Sequence, residues 1–325
     1  MQNKKRILTY SEAINEALTQ VMSKDKNVIA MGLGVDDPGG VFGTTKGLIN
    51  KYPKRVFDMP TAENSFTGFA IGLALQGKKP VITHQRVEFA LLSMDQIINQ
   101  AAKWHYMSGG KAKVPIVIRL IIGKGWGQGP QHSQSLEVLF AHIPGLKVVC
   151  PSTPNEAKGL LISSVLDNNP IIFYEHRWLH MTKGYVPKKF YKLPLGNSKV
   201  VKKGKDLTII SFSYMLVECL KVNKILIENN ISAEIINIQS LNPFKISKII
   251  NSAKKTKKIL FVDNGWKKFG IGAEIISSIS EKIKNAKIEF ERIGIVQTPI
   301  PSTISLAKYS YPNTHSIVKK IEKLV

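Results

Sequence analysis

Cysteine is nearly absent from this sequence. Cys150 and Cys219 are the only two in 325 residues. They are too few and too far apart for a disulfide framework or a zinc site, and both read as core positions, one at a strand end and one in a helix. No apolar run reaches the length of a membrane span. The basic stretch Met1–Arg6 is not followed by an apolar signal segment, so a cytoplasmic protein without membrane association is expected. Arginine is scarce too. Arg6, Arg55, Arg86, Arg119, Arg177 and Arg292 are the whole set, and lysine supplies the rest of a net charge of +23. Nucleic-acid readers concentrate arginine into stripes or set aromatic platforms in a known module. Neither pattern occurs, so dispersed lysine is expected to meet acidic protein partners rather than nucleic acid. There is no G-x-G-x-x-G dinucleotide fingerprint and no P-loop.

What is present is a folded, two-domain pattern. A hydrophobic content of 43% against 21% charged residues excludes a disordered chain, and the length suffices for two domains with sizeable cores. Short apolar strands alternate with helical spacings from the start. Thr9-Tyr10-Ser11-Glu12 reads as a capping box for a helix to about Ser23, and Asn27–Met31 as a buried strand. The nearly unbroken apolar run Val114–Ile122 suits a strand covered on both faces. A long helix is expected over Phe89–Met107. Thr153-Pro154-Asn155-Glu156 carries a helix start with Thr153 as cap and Glu156 closing the box. Alternation of this kind predicts an α/β fold with open, mostly parallel sheets. We expect one domain over residues 1–185, an irregular connector over 186–205 within a longer irregular stretch 175–205, and a smaller α/β domain over 206–325.

The chemistry centres on Asp58-Met59-Pro60-Thr61-Ala62-Glu63-Asn64-Ser65, which closes a strand and opens a helix. Pro60 pushes Met59 toward extended geometry. Phe66, Phe69, Ala70, Leu73 and Ala74 then recur at helical spacing, and Gly68 and Gly72, about a turn apart, let another backbone approach. Glu63 lies in the first turn. A carboxylate there is either a surface residue favoured by the helix N-terminus or an acid held in an apolar cleft, suited to proton transfer. The second candidate is His132, at the end of the glycine-rich run Gly123–Gln134. That loop has the wrong spacing to cradle a phosphate, and reads as backbone that presents the histidine. Both residues follow the carboxyl ends of strands, where open α/β sheets place their ligands, and the two are expected to share a crevice.

Longer motifs carry a resemblance. Gln131-His132-Ser133-Gln134-Ser135, His142-Ile143-Pro144-Gly145-Leu146-Lys147-Val148-Val149, Pro151-Ser152-Thr153-Pro154 and Asp167-Asn168-Asn169-Pro170 resemble the beta subunit of the thiamine-diphosphate-dependent 2-oxo acid dehydrogenases (the pyruvate, branched-chain and acetoin group). Gly39-Gly40-Val41-Phe42, Met94–Lys103, Asn264-Gly265-Trp266 and Gly270–Ile275 are similar to the same family, so the resemblance covers almost the whole chain. It implies a thiamine-diphosphate-binding fold of the pyrimidine type, followed by a domain like the transketolase C-terminal domain. It implies that Glu63 hydrogen-bonds the aminopyrimidine ring nitrogen of thiamine diphosphate, that Phe89 packs on that ring, and that His132 is the active-site histidine. It places a structural monovalent cation such as K+ at Ile116, Ser164, Asp167 and Asn169.

No Gly-Asp-Gly occurs anywhere in the sequence. The family's Mg²⁺ and diphosphate site is therefore expected on an alpha subunit, with two alpha and two beta chains assembled around beta–beta contacts and a lipoyl acyltransferase as the further partner. Two segments depart from the family. Gly32-Leu33-Gly34 replaces an acidic G-E-D-like turn, and Thr83-His84-Gln85-Arg86-Val87-Glu88 is polar where relatives are more apolar. Both suit a bulkier or more polar 2-oxo acid, or an acceptor other than a lipoyl arm. The alternatives are the C-terminal half of a split transketolase-like carboligase acting on sugars or aldehydes, and a non-catalytic scaffold that kept the fold.

Overall fold

The structure is a computed structural model and describes residues 6–125, 128–284 and 287–325. Trp126 and Gly127 of the glycine-rich run, and Met1–Lys5 of the basic N-terminal stretch, lie outside the described residues. The chain divides into two compact units. The first runs to Ile122 and resumes over Leu139–Leu195; the second takes Gly123–Val138 and Gly196–Val325.

The first unit contains β1 (Ile7–Thr9), α1 (Tyr10–Lys24), β2 (Val28–Gly32), α2 (Leu48–Lys51), β3 (Val56–Asp58), α3 (Glu63–Leu75), β4 (Lys79–His84), α4 (Ala102–Met107) and β5 (Val117–Ile122). The chain re-enters it through α5 (Glu137–Ala141) and continues with β6 (Lys147–Val149), α6 (Pro154–Val165), β7 (Ile171–His176) and β8 (Lys183–Tyr185). Within the unit, the strands lie in the order β6-β7-β5-β4-β2-β3, every pair parallel. This is the arrangement the apolar strands demand, since β2, β5 and β7 are buried along their whole length. The capping box at Thr9 and Glu12 forms in full and starts α1. That helix packs on α6 through its buried residues, among them Ile14, Ala17, Leu18 and Val21.

The second unit contains β9 (Ser198–Lys202), β10 (Leu207–Ser211), α7 (Met215–Glu228), β11 (Ala233–Ile238), β12 (Ser240–Asn242), α8 (Ser247–Thr256), β13 (Lys258–Trp266), α9 (Ile271–Lys282), β14 (Glu289–Ile295), α10 (Ile304–Ala307) and α11 (Thr314–Ile321). Its sheet runs β14-β13-β10-β11-β9, with β9 the one antiparallel edge. Leu216, Cys219 and Val222 of α7 and Ile317 and Ile321 of α11 pack with Ile209, Ile235 and Leu260 of the sheet. Cys150 and Cys219 are buried and not joined in a disulfide, the first just past β6 and the second within α7.

Three local expectations change. The helix over 89–107 is not uniform. A tight 3₁₀ segment (Val87–Ser93) leads into a wide π-turn (Gln96–Ala101) and then α4. Just beyond that wide turn, the backbone of Gly145 comes so close that a Cβ would lie 2.0 Å from the Ala102 carbonyl oxygen. Its φ of +98° also favours glycine. The stretch 175–205 is not wholly irregular: β7 extends through Glu175 and His176, β8 pairs antiparallel with β1, and β9 is a lysine-bearing edge strand. Thr153 caps α6 as expected, but Glu156 reaches past it to accept the Ser152 N–H at 3.0 Å. No helix among the described residues is long and apolar enough to cross a membrane.

Candidate functional site

Glu63 is the first residue of α3, behind an Ala62 cap that offers no side-chain hydrogen bond. The first turn of a helix carries unsatisfied N–H groups and the positive end of the dipole, so a carboxylate is favoured there. Glu63 is only 5% exposed. Its carboxylate makes no hydrogen bond or ion pair among the described residues. A carboxyl group in that first turn, unpaired within the chain, leaves its oxygens open to a ligand. That is the environment a ring nitrogen of a bound aminopyrimidine would complete, and Glu63 fits that role.

Phe89, half-buried, sits on the 3₁₀ segment Val87–Ser93, which packs against α3. Thr67 of α3 fastens the two: its hydroxyl donates to Ser93 Oγ at 3.1 Å and lies 3.5 Å from His84 Nε2. His84 is fully enclosed beside the Phe66 ring (5.1 Å between centroids), and burial pushes its pKa down to about 3, so the imidazole is neutral. Glu63 and Phe89 are thus placed by one pair of packed helices in the first unit.

The first unit also holds a buried network that sequence reasoning missed. Arg119, in the middle of β5, is completely buried and donates to both oxygens of Glu175 on β7, at 2.6 and 3.0 Å. Its remaining nitrogens reach Thr83 Oγ1 on β4 (3.1 Å) and Thr44 Oγ1 in the loop after β2 (2.7 Å). The Arg119 charge holds the Glu175 carboxyl at about 2 against the pull of desolvation. His180 Nε2 lies 3.3 Å from the same carboxylate. The signal was present as a single charge within each of two apolar runs, Val114–Ile122 and Ile171–Tyr174 extended by Glu175. The polar departures also have structural roles. Gln85 Nε2 donates to Leu33 O at 2.9 Å, and the Gly34 N–H donates to Asp58 at 2.6 Å, joining the turn after β2 to the ends of β4 and β3.

His132 closes a short 3₁₀ turn, Pro130–His132, in the inserted segment Gly123–Val138 of the second unit. Glu63 and Phe89 belong to the first unit and His132 to the second. Lys124 anchors the His132 segment: its ammonium donates to the carbonyl oxygens of Gln128, Pro301 and Ser302 at 2.7–2.8 Å. Tyr311 Oη donates to Ser133 O at 3.2 Å. Five residues past His132, Glu137 is fully buried, and desolvation together with Asp263 pushes its carboxyl up to about 8. Asp263 itself is pushed up to about 6 by burial, although it accepts the Gly265 and Gly272 N–H groups.

Of the four candidate cation ligands, Ser164 lies in the last turn of α6, Asp167 and Asn169 between α6 and β7, and Ile116 just before β5. Ile116 O accepts the Ile171 N–H, and Ser164 O accepts the Asp167 N–H. The Asp167 carboxylate accepts from both nitrogens of Asn169 and pairs with Lys147 at 2.6 Å. Neutral carbonyls and one carboxylate are the donor chemistry a monovalent cation takes, though here Lys147 already balances the carboxylate.

Comparison with known proteins places the whole chain. The transketolase pyrimidine-binding domain matches residues 6–182, and the transketolase C-terminal domain matches 196–317. The "Acetoin:2,6-dichlorophenolindophenol oxidoreductase subunit beta" of Cupriavidus necator is 38% identical over 329 residues, covering 98% of this chain and 97% of that one. The "Pyruvate dehydrogenase E1 component subunit beta" of Porphyra purpurea is 39% identical over 316 residues (97% and 96%). That of Rickettsia felis is 34% identical over 319 residues (98% of each). A solved structure titled "Split gene transketolase, inactive beta4 tetramer" superposes with a TM-score of 0.78 at 20% identity, covering 98% of both chains, a likeness of fold. With two transketolase-type domains in this order and such relatives along its full length, the chain belongs to the family of the pyruvate and acetoin dehydrogenase E1 beta subunits.

Proposed function

We propose that this chain is the beta half of a thiamine-diphosphate-dependent 2-oxo acid dehydrogenase, which decarboxylates a 2-oxo acid oxidatively and passes the acyl group to a lipoyl carrier. The observation that carries the reading is Glu63, a buried residue at the start of α3 whose carboxyl has no hydrogen-bond or ion-pair partner among the described residues. When bound, thiamine diphosphate supplies the carbanion chemistry that breaks the bond beside the keto carbon. Glu63 would hold a proton at the pyrimidine ring nitrogen, and Phe89 would pack on the ring. His132 would stand near the substrate as a proton donor or acceptor.

Oxygen ligands for Mg²⁺ in a Gly-Asp-Gly motif do not occur in this sequence, which supports an alpha chain that holds the metal and the diphosphate. Phe69 on α3, and Leu91 and Leu92 on the helix packed against it, are exposed, as expected of a face that meets another subunit. We assign an assembly of two alpha and two beta chains with beta–beta contacts, a cytoplasmic location, and a monovalent cation at Ile116, Ser164, Asp167 and Asn169. The carboligase alternative has less support, since the relatives at 34–39% identity are E1-type beta subunits.

The test is co-expression with a candidate alpha chain. The complex, supplied with thiamine diphosphate and Mg²⁺, is assayed for reduction of an artificial electron acceptor dependent on pyruvate, 2-oxobutyrate or branched-chain 2-oxo acids. Activity that requires both chains is expected. A cofactor-loaded complex that is silent on every 2-oxo acid, yet joins aldehydes, would replace this reading with the carboligase one.

A further inference from the structure

Two guanidinium groups converge on one phenyl ring at the carboxyl edge of the first unit's sheet. Arg177, which follows β7, places its Cζ 4.4 Å from the centroid of Phe42. Arg86, which follows β4, places its Cζ 5.9 Å from the same ring. The His180 ring lies 5.5 Å from it. Phe42 is held with a left-handed backbone (φ 51°), which a bulky residue rarely adopts.

Arg177 is the telling member. It is half-buried, and burial lowers its pKa with no acidic group opposing the shift. No carboxylate among the described residues lies within ion-pair distance of it. Among the described residues its side chain hydrogen-bonds His180 Nδ1 at 3.4 Å, on an imidazole whose other nitrogen faces Glu175. Glu175 is already answered by both Arg119 hydrogen bonds. The protein therefore keeps a partly desolvated positive charge, braced on an aromatic face, without its own anion. It does so at the edge where open parallel sheets bind ligands.

We propose that Arg177, braced on Phe42 with Arg86 on the same ring, binds an anionic group of the substrate that the reaction leaves in place. Resting on the 2-oxo acid reading, the inference narrows the substrate class. The carboxylate lost as CO₂ is a poor candidate. A guanidinium holding it would stabilise the ground state over a transition state in which that charge disperses. The fitting anion is a distal one: the second carboxylate of a dicarboxylic 2-oxo acid, or the phosphate ester of an acyl acceptor. Either would take the planar, two-pronged hydrogen bonding that guanidinium offers and an ammonium does not.

The test has two arms. In the first, the purified chain without cofactor is titrated with glutarate and separately with glycerol 3-phosphate. Fluorescence of Trp178, adjacent to Arg177, is read, and Trp178→Phe assigns the signal. A saturable response is expected that weakens at least tenfold in Arg177→Met and less in Arg177→Lys. Preference for glutarate assigns the anion to the donor acid, and preference for glycerol 3-phosphate assigns it to the acceptor. No saturable response to either, or one unchanged by Arg177→Met, overturns the proposal. In the second arm, the alpha–beta complex is assayed with 2-oxoglutarate and 2-oxobutyrate. Arg177→Met is expected to shift the ratio of their kcat/KM values at least tenfold against 2-oxoglutarate, mainly through KM. A wild-type response to glycerol 3-phosphate alone predicts the same shift for a phosphorylated aldehyde acceptor over its unphosphorylated form. An unchanged ratio for the anion selected by the first arm contradicts the inference. Saturable anion binding in a complex silent on all 2-oxo acids would sink the dehydrogenase reading while leaving the anion site in place.

Discussion

Arg119 and Glu175 face each other across the parallel pair β5 and β7, joined by hydrogen bonds of 2.6 and 3.0 Å, with neither side chain reaching solvent. A buried pair of this kind is weak evidence for net stability, because desolvation opposes the Coulomb gain. What it does is fix position. Through Thr83 and Thr44, the same guanidinium ties β4 and the loop after β2 to β5, and through His180 the carboxylate holds the turn that follows β7.

Breaking the pair on one side is therefore expected to be severe. Arg119→Met leaves Glu175 buried without its counter-charge and should lower unfolding free energy by roughly 3–5 kcal/mol. Urea denaturation of the purified chain measures it. Arg119→Met with Glu175→Leu should recover a substantial part of the loss. A double variant no better than the single one would mean that the hydroxyl contacts, and not the lone charge, set the cost.

Acid sensitivity should begin well above the carboxylate range. Burial pushes His84 and His176 down to about 3 in the fold, while in the unfolded chain each protonates near pH 6.5. Their neutral forms support the fold fully above pH 6.5, and that support declines as pH falls toward 3. Each contributes a slope of about 1.4 kcal/mol per pH unit within that window. Glu175, held at about 2, adds a further loss below pH 4.5. His84→Gln should reduce the slope of urea midpoint against pH between 6 and 4; an unchanged slope would show that His84 is already charged in the fold.

Glu137 should act in the opposite direction. Its carboxyl keeps a proton up to about pH 8 in the fold and loses it near pH 4.5 when unfolded. Its contribution is complete below pH 4.5 and disappears as pH rises through 8, at about 1.4 kcal/mol per pH unit. Glu137→Gln should flatten the decline in stability between pH 5 and 8, gaining on the parent chain at the alkaline end. Parallel profiles for parent and variant would contradict the protonated state.

Much of the fold was legible because the strands of two parallel sheets are nearly continuous apolar runs, and because helix starts carry explicit caps such as Thr9 with Glu12. Glu63 was legible from a strand end, Pro60 and a helical apolar spacing. The Arg119–Glu175 network was harder to see. Arg119 and Glu175 lie 56 positions apart, and nothing local states that one charge answers the other across a sheet. The wide turn at Gln96–Ala101 left no mark, because its residues keep helical apolar spacing. The placement of Gly123–Val138 in the second unit depends on contacts such as Lys124 with Pro301 and Ser302, which link positions about 177 residues apart. Arg177 was not legible as a binding residue because an arginine after a strand is ordinarily solvated, and only in three dimensions is it seen that no carboxylate among the described residues pairs with it.

The most direct measurement compares Glu63→Gln with the parent chain in the assembled alpha–beta enzyme. Because the Glu63 carboxyl has no partner among the described residues, the substitution should change unfolding free energy by less than about 1 kcal/mol and leave assembly intact. It should also reduce 2-oxo acid-dependent turnover by about a hundredfold or more. Full turnover in a correctly assembled Glu63→Gln enzyme would contradict the placement of the cofactor's pyrimidine at Glu63, and with it the half-site reading of this chain.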